Sequence, residues 1–145
     1  MDAAKYLLAM SLAASAAWAA DGKLMHCFYF TPMETATQAD WNEFRKATLD
    51  LPAKIPGLRR IWMGKLRAPF RQVTADREAA KRLGAGEKDV AATVNVRVRE
   101  YGVCMEFDDE AALKVYGPHP AHKEWETIYF KVRQPGTMTF DILVE

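Results

Sequence analysis

The 145-residue sequence predicts an α+β domain, an antiparallel sheet with helices on one face. Three observations predict it. Short runs rich in aromatic and β-branched residues alternate in polarity at every second position, as half-buried strands do. Between them, apolar residues return every three or four positions, as on amphipathic helices. In chain order the segments read strand, helix, strand, insertion, strand, helices, strand.

The first twenty residues stand apart. Lys5 is followed by an apolar stretch to Ala14, and Ala17-Trp18-Ala19 fits the small-residue pattern that precedes a cleavage after Ala19. This predicts a signal peptide over residues 1–19 and an exported mature protein. The alternative is an amphipathic helix retained in the fold. Residues 20–145 then form a single domain.

Lys23 to Thr31 reads as a strand ending at Pro32, with His26, Phe28 and Phe30 on one face. Met25, Cys27 and Tyr29 fall on the other. Trp41, Phe44, Thr48 and Leu51 mark a helix over residues 37–51, capped by Thr37 and ended by Pro52. Ile55-Pro56-Gly57 is a turn, and a second strand runs from Leu58 to Lys65.

Residues 66–98 read as an insertion. It carries a short helix from Ala75 to Leu83, with Thr74 as N-cap and Gly84 as stop. Its mild basic surplus reads as a solvated surface. Ala92 to Phe107 alternates as a strand. The change of parity between Val98 and Tyr101 predicts a bulge or turn near Arg99. Two helices follow, Asp109 to Tyr116 and Pro120 to Arg133, the second preceded by His119. After the Gln134-Pro135-Gly136 turn, Thr137 to Glu145 closes the chain as a strand.

This order predicts a ferredoxin-like β-α-β-β-α-β sheet. Helices on the His26 face leave Met25, Cys27 and Tyr29 uncovered, and a second copy of the chain would cover them. Alternation puts Cys27 and Cys104 on the same face of the central strands. Two packed thiols are the expectation, with a cross-strand disulfide as the alternative.

The formal net charge of +1 gives no electrostatic footprint for nucleic acid. Two cysteines exclude a disulfide-dense scaffold and a Cys-rich zinc module. No apolar run reaches the length of a membrane span.

The three histidines of the chain, His26, His119 and His122, together with Tyr116, carry any chemistry. His122 falls in the first turn of a helix, where the N-terminal dipole disfavours imidazolium, so it is the candidate base. Tyr116 is placed to donate its hydroxyl to a developing enolate oxygen. His26 would orient the substrate or His122. His119 suits an N-cap. A metal shared by the three histidines is the weaker reading, because a helix start opposes a cation. The pocket would lie between helices and sheet, with Phe28, Phe30, Thr48, Val103 and His119 as binding residues.

The stretch Glu106 to Trp125 (EFDDEAALKVYGPHPAHKEW), the Met25-His26 strand, Lys54-Ile55-Pro56-Gly57 and Thr139-Phe140-Asp141 together resemble the stress-responsive α/β-barrel (Dabb) family. The resemblance covers about residues 24–65 and 99–144. It implies a homodimer in which two four-stranded sheets close into a barrel. Plant polyketide cyclases of this family are similar here, and the resemblance places their catalytic histidine on His122. Their strand histidine falls on His26 and their tyrosine on Tyr116. Thr48 and Arg45 stand where those cyclases carry a tyrosine and a phenylalanine. Two functions follow as expectations. The first is a small-molecule-binding or structural module; the second is an acid/base enzyme without cofactor that uses His122 as base.

Overall fold

Alternation along β1 (Leu24–Phe30) decides the architecture. Leu24, Phe28 and Phe30 are buried, while Met25 and Tyr29 on the opposite side are half-buried. The computed structural model describes residues 23–144, so the expected signal peptide at 1–19 lies outside the described residues.

After β1 come α1 (Gln38–Leu49), a short 3-10 turn (Leu51–Ala53) and β2 (Leu58–Ala75). Then follow α2 (Arg77–Gly84), β3 (Val94–Phe107), α3 (Glu110–Tyr116), α4 (Pro120–Val132) and β4 (Met138–Leu143). The strands form one antiparallel sheet in the order β2-β3-β1-β4. This is the ferredoxin-like arrangement that the order of segments predicts.

α1 begins where Thr37 and Asp40 cap each other reciprocally, a capping box that satisfies two otherwise orphaned amides. It ends two residues earlier than expected. Pro52 cannot continue the helical ladder, and the chain tightens into the 3-10 turn. Gly57 follows at φ +82°, and a Cβ there would collide with Ala112 of α3. Glycine is therefore required at the turn that brings α3 onto the sheet.

The core lies between the sheet and the helices. Phe30, Phe44, Val103, Met105, Phe107 and Val132 are fully buried. Phe30 meets Phe44 edge-on at 5.9 Å, and Phe44 stacks on Tyr129 at 5.5 Å.

The expected insertion at 66–98 is regular structure. β2 continues past Lys65 to Ala75 and pairs with the start of β3, so the two strands extend from the sheet as a long ribbon. Asp76, not Thr74, caps α2 at its tip. Its carboxylate accepts from Ala79 N–H (3.0 Å) and Thr93 N–H (2.8 Å), joining the two strands.

β3 does not bulge at Arg99. The register shift lies in β2, between Lys65 and Phe70. Arg99 shares the helix-facing side with Tyr101 and Val103, and Val94, Val96 and Val98 point to the other side. The Arg99 guanidinium is buried, held by Gln72 Oε1 (2.6 and 2.9 Å) and the Gly136 carbonyl (2.9 Å).

Cys27 and Cys104 are directly paired across β1 and β3 and are joined by a disulfide. The expectation of two thiols is thereby corrected: at a Cα separation of 4.2 Å a bond is within reach.

Candidate active site

A groove of about 170 Å³ runs between α4 and the sheet edge formed by β1 and β4. α4 supplies one face of its helix to it: His122, Trp125, Glu126, Tyr129, Phe130 and Arg133. These positions recur every three or four residues, as one helical face requires. Across from them stand His26 and Phe28 of β1, and Thr137 and Thr139 at β4. Tyr116, the last residue of α3, closes one end.

The histidine end is built from short contacts. His122 Nδ1 lies 3.0 Å from the Gly117 carbonyl oxygen, which accepts hydrogen bonds and cannot donate them. Nδ1 therefore carries the proton, and in the neutral ring Nε2 holds the free lone pair. The His122 and Tyr116 rings are 4.2 Å apart, and Tyr116 and His26 are 5.9 Å apart. His26 Nδ1 sits 2.7 Å from Asp141 Oδ1. Asp141 faces His26 directly across the β1–β4 ladder, so strand register positions the pair.

Tyr116 is 4% exposed. Burial, reinforced by the negative charge of Glu126, pushes its phenol well above the ordinary tyrosine value, so it remains a proton donor. Burial also pushes Tyr129 up to about 12, and its hydroxyl lies 3.1 Å from Thr137 Oγ1.

The structure brings together His26, Phe28, Tyr116 and His122, as expected from the sequence. Four other expected binding residues lie elsewhere. Phe30 and Val103 are core residues behind the groove. His119 caps α4, its Nδ1 accepting from Ala121 N–H at 3.2 Å, and it is not among the residues that line the groove. Thr48 is fully buried and acts through a neighbour. Its hydroxyl donates to the Phe44 carbonyl (2.7 Å) and accepts from Trp125 Nε1 (2.8 Å). Trp125 in turn stacks against His122, with ring centroids 5.5 Å apart. Arg45 is exposed and borders a different cleft, beside Trp41 and Tyr101. Among the described residues no three His, Cys, Asp or Glu side chains converge on a cation position.

Sequence reasoning missed Asp141, Glu126, Arg133 and the two threonines. Alternation puts Thr139 and Asp141 on the face opposite Met138, Phe140 and Ile142, but that the apolar face is the one turned away from the helices is set by the pairing of β4 with β1.

No family model matches the chain, and no curated protein matches it. Solved structures do. A dimeric ferredoxin-like protein of unknown function from Jannaschia sp. is 22% identical, covering 85% of this chain and 100% of that one, with a TM-score of 0.57. A Dabb family protein with a ferredoxin-like fold from Mesorhizobium loti is 15% identical, covering 86% and 98%, with a TM-score of 0.55. The hydroxynitrile lyase of Passiflora edulis is 9% identical, covering 86% and 95%, with a TM-score of 0.60. The chain therefore has the ferredoxin-like α+β fold that a Dabb family protein also carries.

Proposed function

We propose that this chain is a dimeric protein of the Dabb family whose groove binds a small apolar molecule and moves a proton on it without a cofactor. The observation that carries this reading is the state of His122. Its Nδ1–H is committed to the Gly117 carbonyl, which leaves the Nε2 lone pair free on a ring whose centroid is 4.2 Å from that of Tyr116. His122 is the base that takes a proton from a weakly acidic carbon. Tyr116, kept protonated by burial, donates a hydrogen bond to the oxygen on which negative charge develops, and the proton held on Nε2 returns to the substrate as that charge collapses. His26, oriented by Asp141, holds the substrate against the pair. That a hydroxynitrile lyase is built on the same fold supports a catalytic use of the scaffold.

Exchange of the benzylic protons of phenylacetone in heavy water, followed by proton NMR, tests this. The protein accelerates exchange, and His122→Ala reduces the acceleration by about 10²–10⁴-fold with the fold intact. Binding of the ketone with no acceleration identifies a binding module instead.

The homodimer forms through the sheet face that the helices leave open, where Trp62, Phe140 and Ile142 are exposed. Solved structures of this fold described as dimeric support it. The disulfide between Cys27 and Cys104 supports export to an oxidising compartment, as does the leader-like composition of residues 1–19. Detection of the chain beginning at Ala20 in an exported fraction is the expected result; a chain retaining Met1 contradicts it.

A further inference from the structure

The groove has a second polar end, and the proton-transfer chemistry does not use it. Arg133, the C-cap of α4, lies about 16 Å along the helix axis from His122, at 1.5 Å per residue. Among the described residues its Nε is a buried nitrogen without a hydrogen-bond partner. Buried donors are nearly always paired, so an orphan beside a cavity marks a place where a ligand atom belongs. The guanidinium lies over the Phe130 and Tyr129 rings, at 4.6 and 5.0 Å from their centroids. Those contacts fix its plane. Its Nη1 donates to the Gln134 carbonyl at 3.2 Å.

The charge around it is also unbalanced. Arg97 and Arg99 approach the same turn. They donate to the backbone carbonyls of Pro135 and Gly136, not to carboxylates. Among the described residues none of these three arginines forms an ion pair. Glu126, the acidic residue among the groove-lining side chains, sits one turn from His122 and two turns before Arg133. The groove is therefore polarised, negative beside the histidines and positive at its far end. Between the ends its walls are aromatic: Phe28, Trp125, Tyr129 and Phe130.

We infer that the groove takes a small apolar carboxylate, with its anionic end on Arg133 and its apolar body against the aromatic walls. This rests on the reading of the groove as a ligand site and names the class of ligand. A carboxylate accepts from a planar guanidinium through charge-assisted bonds that a neutral amide cannot match. Glu126 opposes the reverse orientation, so the uncharged end of the ligand is delivered to His122 and Tyr116.

The test compares 3-phenylpropanoate with its uncharged isostere 3-phenylpropanamide, both titrated into the protein by NMR. The acid binds about tenfold more tightly than the amide, and Arg133→Met brings the two within about twofold of each other. Arg133→Lys retains part of the preference. Raising the salt concentration weakens the acid and leaves the amide unchanged, a readout that does not depend on any variant folding. Equal binding of acid and amide overturns the anion inference and leaves the groove a ligand site. A preference that survives in Arg133→Met overturns the assignment to Arg133. Binding of neither compound overturns this inference and the ligand-site reading together.

Discussion

The two faces of the sheet are made from the same four strands, yet they end in opposite states. On the helix side Val103, Met105 and Phe107 are fully buried under α1, α3 and α4. On the other side Trp62 is 48% exposed, Phe140 39% and Ile142 49%. Along the ribbon the same outward side continues through Val73, paired with Val96, and through Val94 and Val98. Strand alternation alone decides which residues go where. The difference teaches that alternation separates two faces without making the outer one polar: the fold buries one side under its own helices and leaves apolar side chains exposed on the other.

The largest expected effect lies on the covered side. Phe44→Ala removes a ring at the centre of the aromatic cluster and costs about 3–5 kcal/mol. In urea denaturation this loss is independent of protein concentration. Ile142→Asp on the open side costs on the order of 3 kcal/mol if that face is the proposed dimer contact, because it then buries an unpaired charge. Its signature differs: sedimentation shifts from two chains to one, and the melting temperature depends on protein concentration. A variant that stays dimeric removes the second cover from this face.

The disulfide separates the faces further, because it sits on the open side and ties β1 to β3 across 77 residues. Reduction lowers stability by about 2–3 kcal/mol, read as a shift of the denaturation midpoint with and without dithiothreitol. An unchanged midpoint assigns the cysteines no share in stability. Thr48→Val is smaller, about 1–2 kcal/mol, since it strands the Trp125 indole N–H. It also frees the ring that stacks on His122, so it changes Trp125 fluorescence and weakens ligand binding in the groove.

The smallest effect is at the tip of the ribbon. Hydrogen bonds from Ala79 and Thr93 hold the Asp76 carboxyl below the ordinary aspartate value. A depressed folded value means that the contribution is present above the unfolded value and is lost as pH falls through the folded one. Hydrogen-exchange protection of the Thr93 amide is therefore expected to disappear at acid pH before the sheet melts. In Asp76→Asn the protection is weaker and does not change with pH.

The sheet was legible because its signals are local. The β1 alternation, the Thr37 cap and the proline and glycine breaks each act within a few residues. The ribbon was not legible. Pro69 and the register shift between Lys65 and Phe70 interrupt the alternation, and the pairing that restores the strand comes from Val94–Arg99, far along the chain. The site divides in the same way. His122, Tyr116 and His26 stood out by residue type. Phe30 on β1 and Thr48 on α1 face the space between sheet and helices as expected but lie one layer deeper than the groove wall, because periodicity gives a face and not a depth. Asp141 and Arg133 depend on which strand lies beside β1 and where α4 ends, and both are tertiary facts.

The central claim is that the groove holds a base at His122 Nε2, set by the Nδ1–H bond to Gly117. Proton–nitrogen correlation NMR of the imidazoles at about pH 8, where an ordinary histidine is neutral, reads this directly. The account predicts the Nδ1–H tautomer for His122, and loss of that preference in no variant that keeps the Gly117 carbonyl in place. An Nε2–H tautomer would contradict it, since the lone pair would then face a carbonyl oxygen and the groove would have no base at that position.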